Sequence, residues 1–150
     1  MKNTLLIAFL ALFLSACSSQ LSGIKVRDQQ TTTTVISKID KVMFVRGDFT
    51  LWDADPVYQM REQEAGLYQT RVKFTTPGKV YEFKIADANW SEGYNCGYAV
   101  EGKLALSLAQ VADCRTVYNY FSFTPERKGW YIIQLDYRNP RQPLVSVLKG

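Results

Sequence analysis

The chain has 150 residues, of which 47% are hydrophobic, 13% aromatic and 21% charged, with a net charge of +4 and no histidine. That length suits one domain, and that composition folds, since disordered chains are poor in aromatic residues and far from neutral. The missing histidine removes the commonest general base, the histidine-based triads and the usual zinc ligand, so enzymatic chemistry would rest on carboxylates.

Residues 1–16 read as a leader. Lys2 is followed by ten apolar residues, Leu5 to Leu14, and then by Ser15-Ala16-Cys17. An apolar run this short falls well below the roughly 20 residues that span a bilayer, so it predicts a cleaved signal peptide and not a transmembrane helix. Leu14-Ser15-Ala16-Cys17 resembles the bacterial lipobox. That resemblance implies a diacylglycerol on Cys17, and Ser18 at the next position implies an outer-membrane address. Residues 17–34 are polar and rich in Ser, Thr and Gln, the composition of a mobile tether. The cations are scattered and form no block, which reads as a solvated surface and not as a nucleic-acid footprint. With Cys17 lipidated, Cys96 and Cys114 remain, and an exported chain pairs them.

From residue 35 onward apolar residues recur with period 2, broken every ten or so residues by Gly, Pro, Asp or Asn. This predicts an all-β domain, an Ig-like antiparallel β-sandwich of about seven to eight strands with a disulfide-closed loop. Residues 41–45 are apolar on both faces, as a central strand is, and Gly47 ends the run. In residues 67–74, Tyr68, Thr70, Val72 and Phe74 face inward. Tyr81, Phe83 and Ile85 share the inner face of the next strand, which turns Glu82 and Lys84 outward. Further strands are expected over 118–123, 130–137 and 144–148, with Trp130 in the core. Residues 104–112 are the one helix candidate, with Leu104, Leu108 and Val111 on one face.

Two stretches then carry a family resemblance. Gly47-Asp48-Phe49-Thr50-Leu51-Trp52 and Tyr81-Glu82-Phe83-Lys84-Ile85, with Trp90 six residues after Lys84, resemble the glycogen- and starch-binding modules of the Ig-like sandwich type. Trp90-Ser91-Glu92-Gly93-Tyr94-Asn95-Cys96-Gly97 is similar to the W…N-x-G of modules attached to bacterial pullulanases. The ending is similar too, in Asn119 to Phe123, Gly129-Trp130-Tyr131 and Pro143 to Val147. The resemblance runs from about residue 41 to 149. It departs at Thr50 and Leu51, where family members usually carry Asn or Asp before the Trp.

What the resemblance implies is a non-catalytic lipoprotein that binds an α-glucan without cofactor or metal, through Trp52, Lys84, Trp90 and Asn95. A glucose ring has an apolar face and a rim of hydroxyls, so its site needs rigid aromatic plates and a few polar groups. Trp52 and Trp90 would be the plates. Lys84 and Asn95 would meet the hydroxyls. Each residue also has a plainer role: tryptophans plug sandwich cores, lysines form surface ion pairs, and asparagines close turns. Two other functions stay open. One is a sandwich lipoprotein that docks a protein or secretion partner, without sugar binding. The other is a carboxylate enzyme using Asp53/Asp55 or Glu62/Glu64, which the small sandwich disfavours for want of a cleft.

Overall fold

The computed structural model describes residues 38–150. The leader, Cys17 and the tether therefore lie outside the described residues. Ten strands follow one another: β1 Met43–Gly47, β2 Arg61–Glu64, β3 Leu67–Phe74, β4 Tyr81–Asp87, β5 Asn95–Tyr98, β6 Lys103–Leu104, β7 Gln110–Asp113, β8 Phe121–Phe123, β9 Gly129–Asp136 and β10 Leu144–Lys149. Two single turns of 3-10 helix, Asp48–Thr50 and Pro56–Tyr58, come between β1 and β2.

The strands make two layers. In the first, β4 is central. It pairs with β1 along one edge and, along the other, with β8 at Tyr81–Phe83 and then with β5 at Ile85–Ala86. The second runs β2-β3-β9-β10-β7, all antiparallel. β5 crosses to pair with β7, which joins the layers into one sandwich. The Cys96–Cys114 disulfide forms next to that crossing, one step beyond the Gly97↔Asp113 pair.

Period-2 alternation explains the core. Tyr68, Thr70, Val72 and Phe74 of β3 are buried, while Arg71 and Lys73 between them are exposed. Phe74 packs against Tyr81 and Phe123 of the opposite layer, at centroid separations of 4.6 and 5.5 Å. Burying such rings is worth about 1.5–3 kcal/mol each, which makes this aromatic block a main source of stability.

Four expectations are corrected. Among the described residues the strands number ten, because the segment between the cysteines contributes two more short ones, β6 and β7. Residues 104–112 form no helix. Ser107 takes a left-handed φ of +64°, Leu104 packs inward from β6, Leu108 is exposed, and tertiary pairing overrides the helical spacing. The strand expected over 118–123 is confined to its last three residues. Trp130 is not a core residue: Tyr131, Ile133 and Leu135 take the inner face of β9, and the alternation turns Trp130 outward, 43% exposed. One pair, β6 with β8, is parallel.

Candidate functional site

Register places the site. Arg46 of β1 lies directly opposite Lys84 of β4, and Ala86 of β4 opposite Asn95 of β5. Residues paired across antiparallel strands share a face. Arg46, Lys84 and Asn95 therefore all project from the outer face of the first layer, away from Val45, Phe83 and Ile85. Like charges directly opposite each other repel, yet both cations are buried here, Arg46 at 6% exposure and Lys84 at 4%.

Main-chain carbonyls compensate them. Arg46 Nε donates to the Trp52 carbonyl (2.8 Å), and its Nη1 donates to the carbonyls of Asp87 (2.8 Å) and Ala88 (3.2 Å). Lys84 Nζ donates to the carbonyls of Thr116 (2.8 Å), Val117 (3.4 Å) and Asn119 (2.7 Å). Each cation thus draws loops onto the outer face of the sheet. Arg46 holds the turn after β1 and the turn after β4, and Lys84 holds the loop before β8. Burial pulls the Lys84 ammonium down to about 8, with Asp113 opposing.

The loops carry the aromatic residues. Trp52 and Trp90 both adopt left-handed backbone, with φ of +65° and +57°. This conformation costs a side-chain-bearing residue roughly 1–2 kcal/mol. Such strain persists where the surroundings over-determine it, and it clusters at functional sites. Here the surroundings are Arg46 and the Trp52 amide, which donates to the Gly47 carbonyl at 2.9 Å. The Arg46 guanidinium also stacks on the Trp90 ring, 3.6 Å from its centroid. Trp52 meets Tyr120 edge to face at 6.2 Å.

Trp52, Lys84, Trp90 and Asn95 line one shallow cleft of about 380 Å³, together with Val117, Tyr118 and Tyr120. Four residues spread over more than forty positions of sequence meet in one place. Trp90 is 36% exposed and Tyr118 86%, so their rings stand free at the rim. Asn95 is 7% exposed, and its Oδ1 is buried without a hydrogen-bond partner. An unmet buried acceptor costs about 1–3 kcal/mol, and this one lines an aromatic cleft, where a hydroxyl donor would satisfy it.

Lys84 departs from its expected part. Alternation does turn it to the outer face, but that face is covered by residues 116–119, and the ammonium is committed to their carbonyls. It sits on the cleft floor as a holder of the loop. The residues that sequence reasoning missed are Arg46, Tyr118 and Tyr120. Alternation along β1 would have put Arg46 outward, but only the register shows it beside Lys84. One carboxylate of each pair singled out for acid–base chemistry serves a turn: Asp55 accepts from the Val57 amide and Glu62 from the Gly66 amide, both at 2.9 Å.

No family model matches this chain, and no curated protein matches it. Among solved structures, the chain is similar to one described as the ligand-induced structure of AmyP-SBD. That likeness covers 93% of this chain and 95% of that chain, at 22% identity and a TM-score of 0.48.

Proposed function

We propose that the protein is a non-catalytic, membrane-anchored lipoprotein that binds α-glucan chains in the cleft of Trp52, Trp90 and Asn95. The observation that carries this reading is the convergence of two strained tryptophans and an unmet buried acceptor on one open cleft. The rings offer flat apolar area for the C–H face of glucose, and Asn95 Oδ1 accepts from a hydroxyl on its rim. Tyr118 and Tyr120 extend the aromatic surface along the chain. Lys84 and Arg46 are positioning residues, and neither touches sugar. The sequence resemblance to glycogen- and starch-binding modules supports the same choice of ligand. The anchor is the lipid on Cys17, at the outer membrane.

A shallow site spends much of its contact energy on association entropy, so the dissociation constant should lie at about 10 μM to 1 mM. A neutral ligand also makes binding nearly independent of salt. The test is retardation of the full chain, in a non-glycosidic detergent, in native gels containing glycogen, amylopectin or pullulan. Wild type is expected to be slowed, and Trp52→Ala and Trp90→Ala to run free with unchanged circular dichroism. A wild type that ignores all three glucans sinks the proposal and leaves the cleft to a protein partner.

A further inference from the structure

The opposite face of the sandwich has a different character. On the outer face of β3 and β9, Lys73 lies opposite Trp130, Arg71 opposite Ile132, and Gln69 opposite Gln134. Arg61 of β2 lies opposite Gln69 on the same face. Arg61, Arg71 and Lys73 are all exposed, and the ion pairs among the described residues are Lys41–Asp87, Lys79–Asp48 and Arg138–Asp136. None of the three cations is in one. Acids do occur on this layer, but Asp136 is held by Arg138 at the far end with Glu64 close by, and Glu62 caps the Gly66 amide.

Trp130 stands beside two of these cations, with Arg71 and Lys73 over its ring at 5.0 and 5.8 Å from the centroid, and Arg61 lies further along the same face, opposite Gln69. A cleft of about 450 Å³ runs between the ring, Arg61, Arg71 and the amides of Gln63 and Gln69. Gln69 Nε2 donates to Gln134 Oε1 at 2.7 Å, which fixes the Gln69 amide across the sheet. An exposed indole with three uncompensated cations and two amides is a mixed demand. A neutral glucan would leave the cations unused. A lipid surface would use the exposed Trp130 and Val57 of this cleft but would gain nothing from its row of amides. A sugar ring that bears a carboxylate answers all three: C–H face on indole, hydroxyls on amides, and carboxylate on guanidinium, which grips it bidentately.

We infer that the outer face of β2, β3 and β9 is a second binding site, for an acidic saccharide, with Trp130 under a sugar ring and Arg61, Arg71 and Lys73 on its carboxylates. It is independent of the glucan cleft and does not rest on it.

The test is calorimetric titration of the full chain, in a non-glycosidic detergent, with a galacturonic acid hexamer. Wild type should bind in low salt with a dissociation constant of about 10 μM to 1 mM, and tenfold or more weaker near 0.5 M salt. Arg71→Gln/Lys73→Gln and Trp130→Ala should each weaken it at least tenfold. Trp90→Ala, which strips the other cleft, should leave it unchanged. The charge-matched control Lys103→Gln/Arg141→Gln, both exposed and away from this face, should also leave it unchanged. Equal loss in that control would mean general attraction to a basic protein and overturns the site, as does no binding at all. Vesicles containing phosphatidylglycerol are the third arm. Trp130-dependent capture on vesicles, with the hexamer ignored, overturns the saccharide in favour of a membrane.

Discussion

Trp52 and Trp90 each carry a backbone cost in the cleft, because both hold φ values that glycine takes without strain. An exposed alanine is normally preferred to glycine, which adds entropy to the unfolded chain. Here the order reverses. Trp90→Gly should be more stable than Trp90→Ala by about 0.5–1 kcal/mol in urea denaturation, with both losing glucan retention. A more stable alanine variant would mean that the turn relaxes out of the left-handed region. Lys84 supplies the pH dependence. Its folded value of about 8 lies below the unfolded value of about 10.4, so across that interval the unfolded chain binds more protons than the folded one. From this group alone, stability therefore rises with pH between about 8 and 10. An ammonium has three donors for three carbonyls, whereas the neutral amine has two, so the hold on residues 116–119 weakens over the same interval. Urea denaturation near pH 7.5 and near pH 9.5 checks this: Lys84→Met should lack the wild-type gain. An identical gain in the variant would assign the slope to another group.

At the scale of elements, the loop before β8 depends on a close approach as well as on Lys84. A Cβ on Gly97 would come within 1.9 Å of the Asn119 carbonyl oxygen, the same oxygen that Lys84 grips. Gly97→Ala should push the loop off β5, cost about 1–3 kcal/mol as overpacking does, and release Tyr118 and Tyr120 from the cleft. Loss of both glucan retention and stability is expected, and wild-type retention would show that the loop takes no part in binding. This element also marks the limit of what sequence can say. Alternation reads correctly which side of β4 Lys84 leaves, since it depends only on the pleat. Whether that side meets water depends on residues 116–119 folding back over it, and nothing local to β4 encodes that. The helix expected over 104–112 fails for a related reason: its apolar spacing is shared out between β6, which pairs with β8, and a left-handed Ser107 and β7, which both pair with β10. The core position expected for Trp130 fails for a local reason: the phase set by Tyr131, Ile133 and Leu135 turns it outward, and that phase is present in the sequence.

Over the whole molecule, the two layers present two unlike surfaces, one an aromatic cleft closed around buried cations and the other an open face with bare ones. The sandwich architecture follows from period 2 and from where the turns fall, whereas the grouping of Trp52, Trp90 and Asn95 was legible only through the family resemblance. The unlike surfaces depend on register, which a linear reading does not hold. The proposed anchor belongs to this scale. Intact-mass spectrometry of the membrane fraction should find a chain that begins at Cys17 and carries added lipid, and a soluble product with an unmodified Cys17 thiol would refute it.

The six oxygens held by Arg46 and Lys84 are all main-chain atoms. A backbone carbonyl is the same for nearly every residue type, so the two cations grip the loops without regard to the side chains those loops display. Val117 and Tyr118 line the cleft at its rim yet owe their placement to atoms that substitution does not alter. Such a frame is indifferent to its own contents. A library randomised at these two positions should keep the fold and yield clefts with new tastes, much as grafted loops do on a fixed scaffold.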